Sequence, residues 1–290
     1  MKAFLFKILA RLFSFIHPRV APALARPLAA LPWRLSRRLR SVSLRNLEAC
    51  YPEQPERERR DVARAAMTHY VRSGFEIGIT WCWPRARFDT LFEPAEGWSH
   101  FERGLRAGRG LLLLAPHYGA WEMLGMYLSE HLGATLFKPS GDAGVDALLA
   151  ARRERFGARL VPAGRQGLRA LMDCLRAGDA VAVLPDQEPR AGEGRFAPFF
   201  GVPALTGVLA PRLIQRTGAA AVFAVCRRLP GGRFKVHVIP APTDIASPDL
   251  DRAVAAVNRG VEQCIELDPE QYLWAYKRFR ARPEGEEGFY

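Results

Sequence analysis

"LLLLAPHYGAWEMLG", residues 111–125, decides the fold. Four leucines and an alanine form a short unbroken apolar run, which suits a strand buried on both faces of a sheet. Pro116 ends the run, and the helical stretch that follows covers about 121–131. His117 falls in the loop between the two elements and Glu122 in the first helical turn. Five helical positions correspond to about 500° of rotation, so the two side chains cannot share a helix face. With His117 in the loop, the Glu122 carboxylate is expected to turn back towards the imidazole, with Gly119 and Ala120 leaving room. A carboxylate that accepts a hydrogen bond from one ring nitrogen fixes the tautomer and leaves the other nitrogen as a base. The end of such a strand is also where α/β sheets bind ligands. A first-turn acid that favours the helix dipole, beside a satisfied loop histidine, is the plainer reading of the same residues.

Outward from this unit the alternation continues. "ATLF" (134–137), "RLVP" (159–162) and "AVAVLP" (180–185) have the length and composition of buried strands, and helical stretches at 142–156 and 165–177 separate them. Strands alternating with helices predict parallel strands covered by helices. Before them, Val62, Ala66, Tyr70 and Val71 recur at three- and four-residue steps in a helix from about Glu56 to Trp83. After them, "AAAVFAVCRR" and "RFKVHVIP" flank "LPGG", a hairpin expected to add antiparallel edge strands. A helix from about Asp249 to Leu267 and a charged tail follow. The expected fold is α/β, with a mixed, mainly parallel central sheet flanked by helices and an N-terminal amphipathic membrane-associating helix.

That first helix lies in "MKAFLFKILARLFSFIHP". Lys2, Lys7, Arg11 and Pro18 leave it short of the roughly 20 apolar residues of a spanning helix. Phe4, Leu5, Ile8, Leu9, Leu12 and Ile16 form one broad apolar face opposite the cations, the pattern of a helix lying in a membrane interface. A signal peptide shares the charged start and apolar centre, but another Ala/Leu/Arg-rich segment follows rather than a mature exported start. Packing of the apolar face on the protein's own body is the other alternative. Arg19, Arg26, Arg34, Arg37, Arg38 and Arg40 add attraction to an anionic leaflet. The expected division is an N-terminal membrane-associating segment, residues 1–45, and an α/β domain, residues 46–290.

The 290 residues carry 42 Lys+Arg against 30 Asp+Glu, a net charge of +12 that implies an anionic partner. A non-enzymatic membrane or nucleic-acid binding protein would satisfy the charge, yet no recognisable nucleic-acid module is present and no nucleic acid is expected. Cys50, Cys82, Cys174, Cys226 and Cys264 are scattered and odd in number, which suits reduced core residues and no metal site. A nucleophile elbow, a P-loop, a zincin motif and a dinucleotide fingerprint are all missing, so no cofactor is expected.

"HYGAWE" resembles the H-x4-D/E motif of glycerolipid-type acyltransferases, and in particular the lipid A biosynthesis late acyltransferases (lauroyl or myristoyl transferases), which carry Glu at the acidic position. Further blocks resemble that family in order: "NLEACYPE" (46–53), "FKPSGD" (137–142), "RRERFGARLVP" (152–162), "LPDQEP" (184–189), "FAPFFGVPALT" (196–206) and "QYLWAYKRFRARPEG" (271–285). Together they span nearly the whole chain. The resemblance implies an enzyme that moves a fatty acyl group from an acyl carrier protein thioester to a hydroxyl of a glycolipid acceptor, at the cytoplasmic face of the bacterial inner membrane. It implies His117 as the general base and Glu122 as its partner. An acceptor such as a mannosylated phosphoinositide or an aminolipid would use the same chemistry.

The resemblance also implies substrate-binding roles for Asp186 and Gln187, in a motif that is commonly Asp-Gln-Asp and here departs at Glu188. As the end of a predicted strand, this block is expected on the same sheet edge as His117. Lys138 stands where relatives often have arginine and is expected to meet an anion as a point charge. Arg190 and Arg195 are expected to meet phosphate, with Phe199, Phe200 and Gly201 bordering an acyl channel. Core aromatics account equally well for the two phenylalanines. Lys277, Arg278 and Arg280 form another cationic set, which a solvated helix face explains.

Overall fold

The computed structural model describes residues 2–137 and 139–290. The chain opens with helices α1 (Lys2–Phe13), α2 (Ala21–Leu35), α3 (Arg37–Cys50), α4 (Glu56–Cys82) and α5 (Arg85–Asp89). The α/β alternation follows as β1 (Phe92–Glu96), α6 (Trp98–Arg106), β2 (Leu111–Leu114), α7 (Trp121–Leu128), β3 (Leu132–Phe137), α8 (Ala143–Arg153), β4 (Leu160–Pro162), α9 (Arg165–Arg176) and β5 (Ala180–Val183). A hairpin, β6 (Gly194–Phe199) and β7 (Val202–Gly207), precedes α10 (Leu209–Thr217), β8 (Ala220–Leu229), β9 (Arg233–Pro240) and α11 (Leu250–Glu266).

The main sheet has seven strands in the order β1-β9-β8-β2-β5-β3-β4. β2 lies at its centre, parallel to β5 on one side and to β8 on the other, and all four of its leucines are buried. Leu112 and Leu114 enter the core beneath α9, α10 and α11, while Leu111 and Leu113 enter the opposite core beneath α6 and α7. The unbroken apolar run therefore reflects burial on both faces. The predicted hairpin is β8–β9, but it is not an edge: β8 pairs with β2, and β9 is covered by β1. "FEPAE" gives little sign of a strand, because Pro94 and two glutamates interrupt any apolar alternation.

Strand order and handedness place the helices. The crossovers β2-α7-β3 and β3-α8-β4 run towards the β4 edge, whereas β4-α9-β5 and β5-α10-β8 run back. Right-handed crossovers in opposite directions put α7 and α8 on one face and α9 and α10 on the other. The chain thus leaves the ends of the adjacent strands β2 and β5 towards opposite faces. A crevice opens between them, as at the switch points of open α/β sheets.

α1 packs on α4 through small residues. Ala10 is buried, and a Cβ on Gly78 would stand 2.3 Å from the Ser14 backbone nitrogen. Its apolar side is left uncovered: Phe4, Leu5, Ile8 and Leu12 are exposed, as is Phe15 just beyond the helix. Leu24, Leu28, Leu31 and Leu35 continue that surface along α2, whose Ala21, Ala25 and Ala29 are buried. Among the described residues no helix is long and apolar enough to cross a membrane. α3 runs through position 45, and Asn46 at its inner side donates to the carbonyls of Trp274 and Tyr276.

Candidate active site

Beyond Leu114 the chain turns at Pro116, where the Tyr118 amide donates back to the Pro116 carbonyl at 2.7 Å. The loop is then tied from two sides. The Gly119 amide donates to the Gln271 carbonyl at 2.9 Å, the Ala120 amide to the Cys226 carbonyl at 2.8 Å, and the Leu273 amide to the His117 carbonyl at 3.2 Å. Gly119 holds φ +56°, and a Cβ there would lie 2.1 Å from the Cys226 carbonyl oxygen. Only glycine fits this crossing.

The partner of the imidazole is Asp186, not Glu122. His117 Nδ1–H donates to Asp186 Oδ1 at 2.8 Å, and the His117 backbone N–H donates to Oδ2 at 2.9 Å. One carboxylate thus holds both the ring and the backbone of one residue. Asp186 is 3% exposed, and burial pushes its carboxyl up while the histidine charge and these hydrogen bonds bring it below its ordinary value. Burial conversely pushes the His117 ring down, and the Asp186 charge and hydrogen bond outweigh it, leaving the ring above its ordinary value. With Nδ1 committed, Nε2 carries the free lone pair. It faces the exposed Gln187, whose side-chain nitrogen lies 3.2 Å away.

Glu122 points elsewhere. Arg153, at the end of α8, grips its carboxylate with both Nε, at 3.1 Å from Oε2, and Nη2. The expectation that Glu122 turns back to the imidazole is corrected on physical grounds: a guanidinium fork pairs with a carboxylate through two parallel bonds, and Asp186 already occupies the ring. The Glu122 charge still raises the His117 ring, and Arg153 opposes it.

His117, Trp121, Glu122 and Arg153 lie along a cleft of about 920 Å³ at the sheet edge. Its deeper walls are apolar and come from both faces of the sheet, with Leu124 and Met126 on the α7 side and Leu168 and Leu213 on the α9–α10 side. Gln187 and Arg190 line it as well. Glu188 lines it too, but its carboxylate accepts from Arg280 at 2.9 Å and from the Ala281 amide at 2.8 Å, holding the C-terminal segment in place.

The structure parts other expected residues from the cleft. Arg195 leans towards Asp251, at 3.7 Å on the surface. Phe199 is in the core against Tyr272 and Phe279, so it borders no acyl channel. Phe200 and Gly201, with φ of 48° and 78°, form the two-residue turn of the β6–β7 hairpin. The core-aromatic alternative holds for Phe199 because residues alternate between the two faces of a strand, and position 199 falls on the inner one. Arg278 is buried rather than solvated, donating to the Leu205 carbonyl, Thr206 and Asn258. Lys138 lies outside the described residues.

A strand-end imidazole, held by a buried carboxylate and facing a long apolar cleft, is an arrangement suited to an enzyme that takes a chain-bearing substrate. Residues 2–281 match the bacterial lipid A biosynthesis acyltransferase family, and the chain belongs to that family. It is an acyltransferase. Similar proteins include the lipid A biosynthesis lauroyltransferase of Escherichia coli K12, 30% identical over 261 residues that cover 89% of this chain and 84% of the relative. The palmitoleoyltransferase of the same organism is 28% identical over 280 residues, 95% and 87% of the two chains. Its myristoyltransferase is 27% identical over 275 residues, 91% and 82%.

Proposed function

We propose that this acyltransferase moves a fatty acyl chain from an acyl carrier protein thioester to a hydroxyl of a lipid A precursor, with His117 as general base. The observation that carries the reading is the His117–Asp186 pair at the mouth of the apolar cleft. The acceptor hydroxyl displaces the Gln187 amide from Nε2 and gives its proton to that nitrogen. The oxygen then attacks the thioester carbonyl, the carbon–sulfur bond breaks, and the thiolate takes the proton back from Nε2. The products are an ester and a free thiol, and the ring is neutral again. Asp186 is the positioning residue throughout and stabilises the imidazolium between the two transfers. Arg190 and Arg153 supply positive charge at the cleft for an anionic acceptor.

The uncovered apolar side chains of α1 and α2 support docking on the inner membrane's cytoplasmic face, where a lipid acceptor is found. Phe4, Leu12, Phe15 and Leu35 would enter the interface while neighbouring arginines meet anionic headgroups. Mass spectrometry of the host's outer-membrane glycolipid with and without this protein tests the reading. Loss of one secondary acyl chain is the expected result, and an unchanged glycolipid in the deletion strain rejects it.

Glu122 acts here by holding Arg153. Glu122→Gln is expected to lower kcat/KM roughly 10–100-fold, the scale of a hydrogen bond to a charged group. It should move the acid limb of the pH profile less than a change at Asp186 does, because Glu122 is the smaller influence on the ring. A limb displaced as far as by Asp186→Asn would return the orienting role to Glu122.

A further inference from the structure

We infer that the basic surface formed by the groove on α9 and the neighbouring arginines of α10 is the docking face for the acidic carrier, and that its thioester arm enters the cleft between Arg165, Arg212 and Arg216. This rests on the proposed donor and extends it to a location. The cleft does not end at the catalytic loop. It continues to Arg165 and Leu168 on α9 and to Arg212 and Arg216 on α10. There it meets a second groove of about 280 Å³, formed by Arg165, Leu168, Arg169, Met172, Asp173 and Arg176. Arg165, Leu168 and Met172 line both, so the outer groove adjoins the catalytic cavity.

The charges along this path are unbalanced. Arg165, Arg169, Arg176, Arg212 and Arg216 are all exposed. Among the described residues, no carboxylate pairs with Arg165, Arg212 or Arg216, and Asp173 is divided between Arg169 and Arg176 at 3.9 Å from each. Glu193 also lines the cleft, whereas Glu122 and Glu188, which line it too, are paired with Arg153 and Arg280. Arg165 and Arg169 are four residues apart on α9, and Arg212 and Arg216 repeat that spacing on α10, so each pair points from one helix face. Leu168 and Met172 give the groove an apolar floor between the cations. An amphipathic helix with carboxylates on either side of an apolar residue is complementary to this surface in charge and shape.

Position favours the carrier over a membrane. α1, which bears uncovered apolar residues, packs against α8, where Lys2 approaches Asp142 at 3.8 Å and Leu148 clusters with Ala10. α8 lies on the sheet face opposite α9 and α10. The first helix and the basic groove thus lie towards different faces of the sheet, and a cleft lined from both faces runs between them. A lipid acceptor and a water-borne donor would meet at His117 from opposite directions.

The test uses the full-length protein, Arg169→Glu/Arg176→Glu, and two donors that share the same thioester: dodecanoyl acyl carrier protein and dodecanoyl-pantetheine. Neither arginine lines the catalytic cleft. KM for the carrier-borne donor should rise about tenfold or more, the scale of lost electrostatic steering, and its dependence on salt should flatten. The rate with dodecanoyl-pantetheine should stay unchanged, which also reports an intact fold. An unaltered KM for the carrier-borne donor overturns the inference, and so does an equal loss with both donors. Loss of binding to vesicles of anionic phospholipid with an unaltered carrier KM assigns the face to the membrane and overturns it too. If the native protein transfers from neither donor to the glycolipid, the functional reading fails and takes this one with it. A competent native enzyme and an indistinguishable variant reject the docking face alone.

Discussion

His117→Ala and Asp186→Asn will each reduce acyl transfer by about 10²–10⁴-fold, or about 3–5 kcal/mol of transition-state stabilisation, while the protein stays folded. The first removes the proposed base. The second keeps the shape of the partner but replaces a carboxylate with an amide, which no longer attracts the imidazolium and can donate to Nδ1, turning the wrong tautomer towards the cleft. The two variants differ in their pH profiles. On the proposed mechanism the working form is the neutral ring, and its proton affinity is raised by Asp186, so kcat/KM should climb through a value above that of an ordinary histidine. In Asp186→Asn the larger raising influence is gone, the smaller one from Glu122 is opposed by Arg153, and burial, which lowers the ring, remains. The acid limb must therefore move to lower pH even as the plateau falls. Steady-state rates from pH 5 to 9 decide the matter. An Asp186→Asn enzyme with native turnover and an unmoved limb would remove Asp186 from the mechanism.

The second large effect is on stability. Gly119→Ala places a methyl group 2.1 Å from the Cys226 carbonyl oxygen, at a backbone φ of +56°. Backbone strain and overpacking together should cost about 2–5 kcal/mol. The cost falls on the loop whose amides bond Gln271 and Cys226, so His117 should lose its register with Asp186 as the loop moves. Denaturant unfolding followed by circular dichroism measures the first effect and acyl transfer the second. A variant as stable and active as the native protein would mean that the loop does not cross β8 as closely as described.

Much of the scaffold is legible from side-chain pattern. β2, β3, β4 and β5, the helices between them, the β8–β9 hairpin and α11 all follow from runs and periods in the residues that form them, because burial on one or two faces imposes its spacing locally. β1 is not legible, since Pro94 and its flanking acids carry no such pattern and the strand exists because β9 offers it a free edge. The β6–β7 hairpin is hidden for a related reason. Its turn residues are Phe200 and Gly201, and a phenylalanine at positive φ is a poor advertisement for a turn.

The site divides in the same way. That His117 and the Asp186–Gln187 block end neighbouring kinds of strand follows from the apolar runs before them. Which acid serves the imidazole does not follow, because Asp186 lies 69 positions away and meets it only because β5 pairs with β2. Glu122, five positions from the histidine, is drawn off by Arg153 across 31 positions. The residues by themselves determined the alternating architecture, the strand-end histidine and the apolar face of the first helix, since each is written in local spacing, whereas that this face is left uncovered is a tertiary outcome. Strand order, the choice of Asp186 over Glu122 and the cleft that joins the two sides of the sheet were decided by the tertiary structure, because pairing between distant segments depends on the packing of the whole chain.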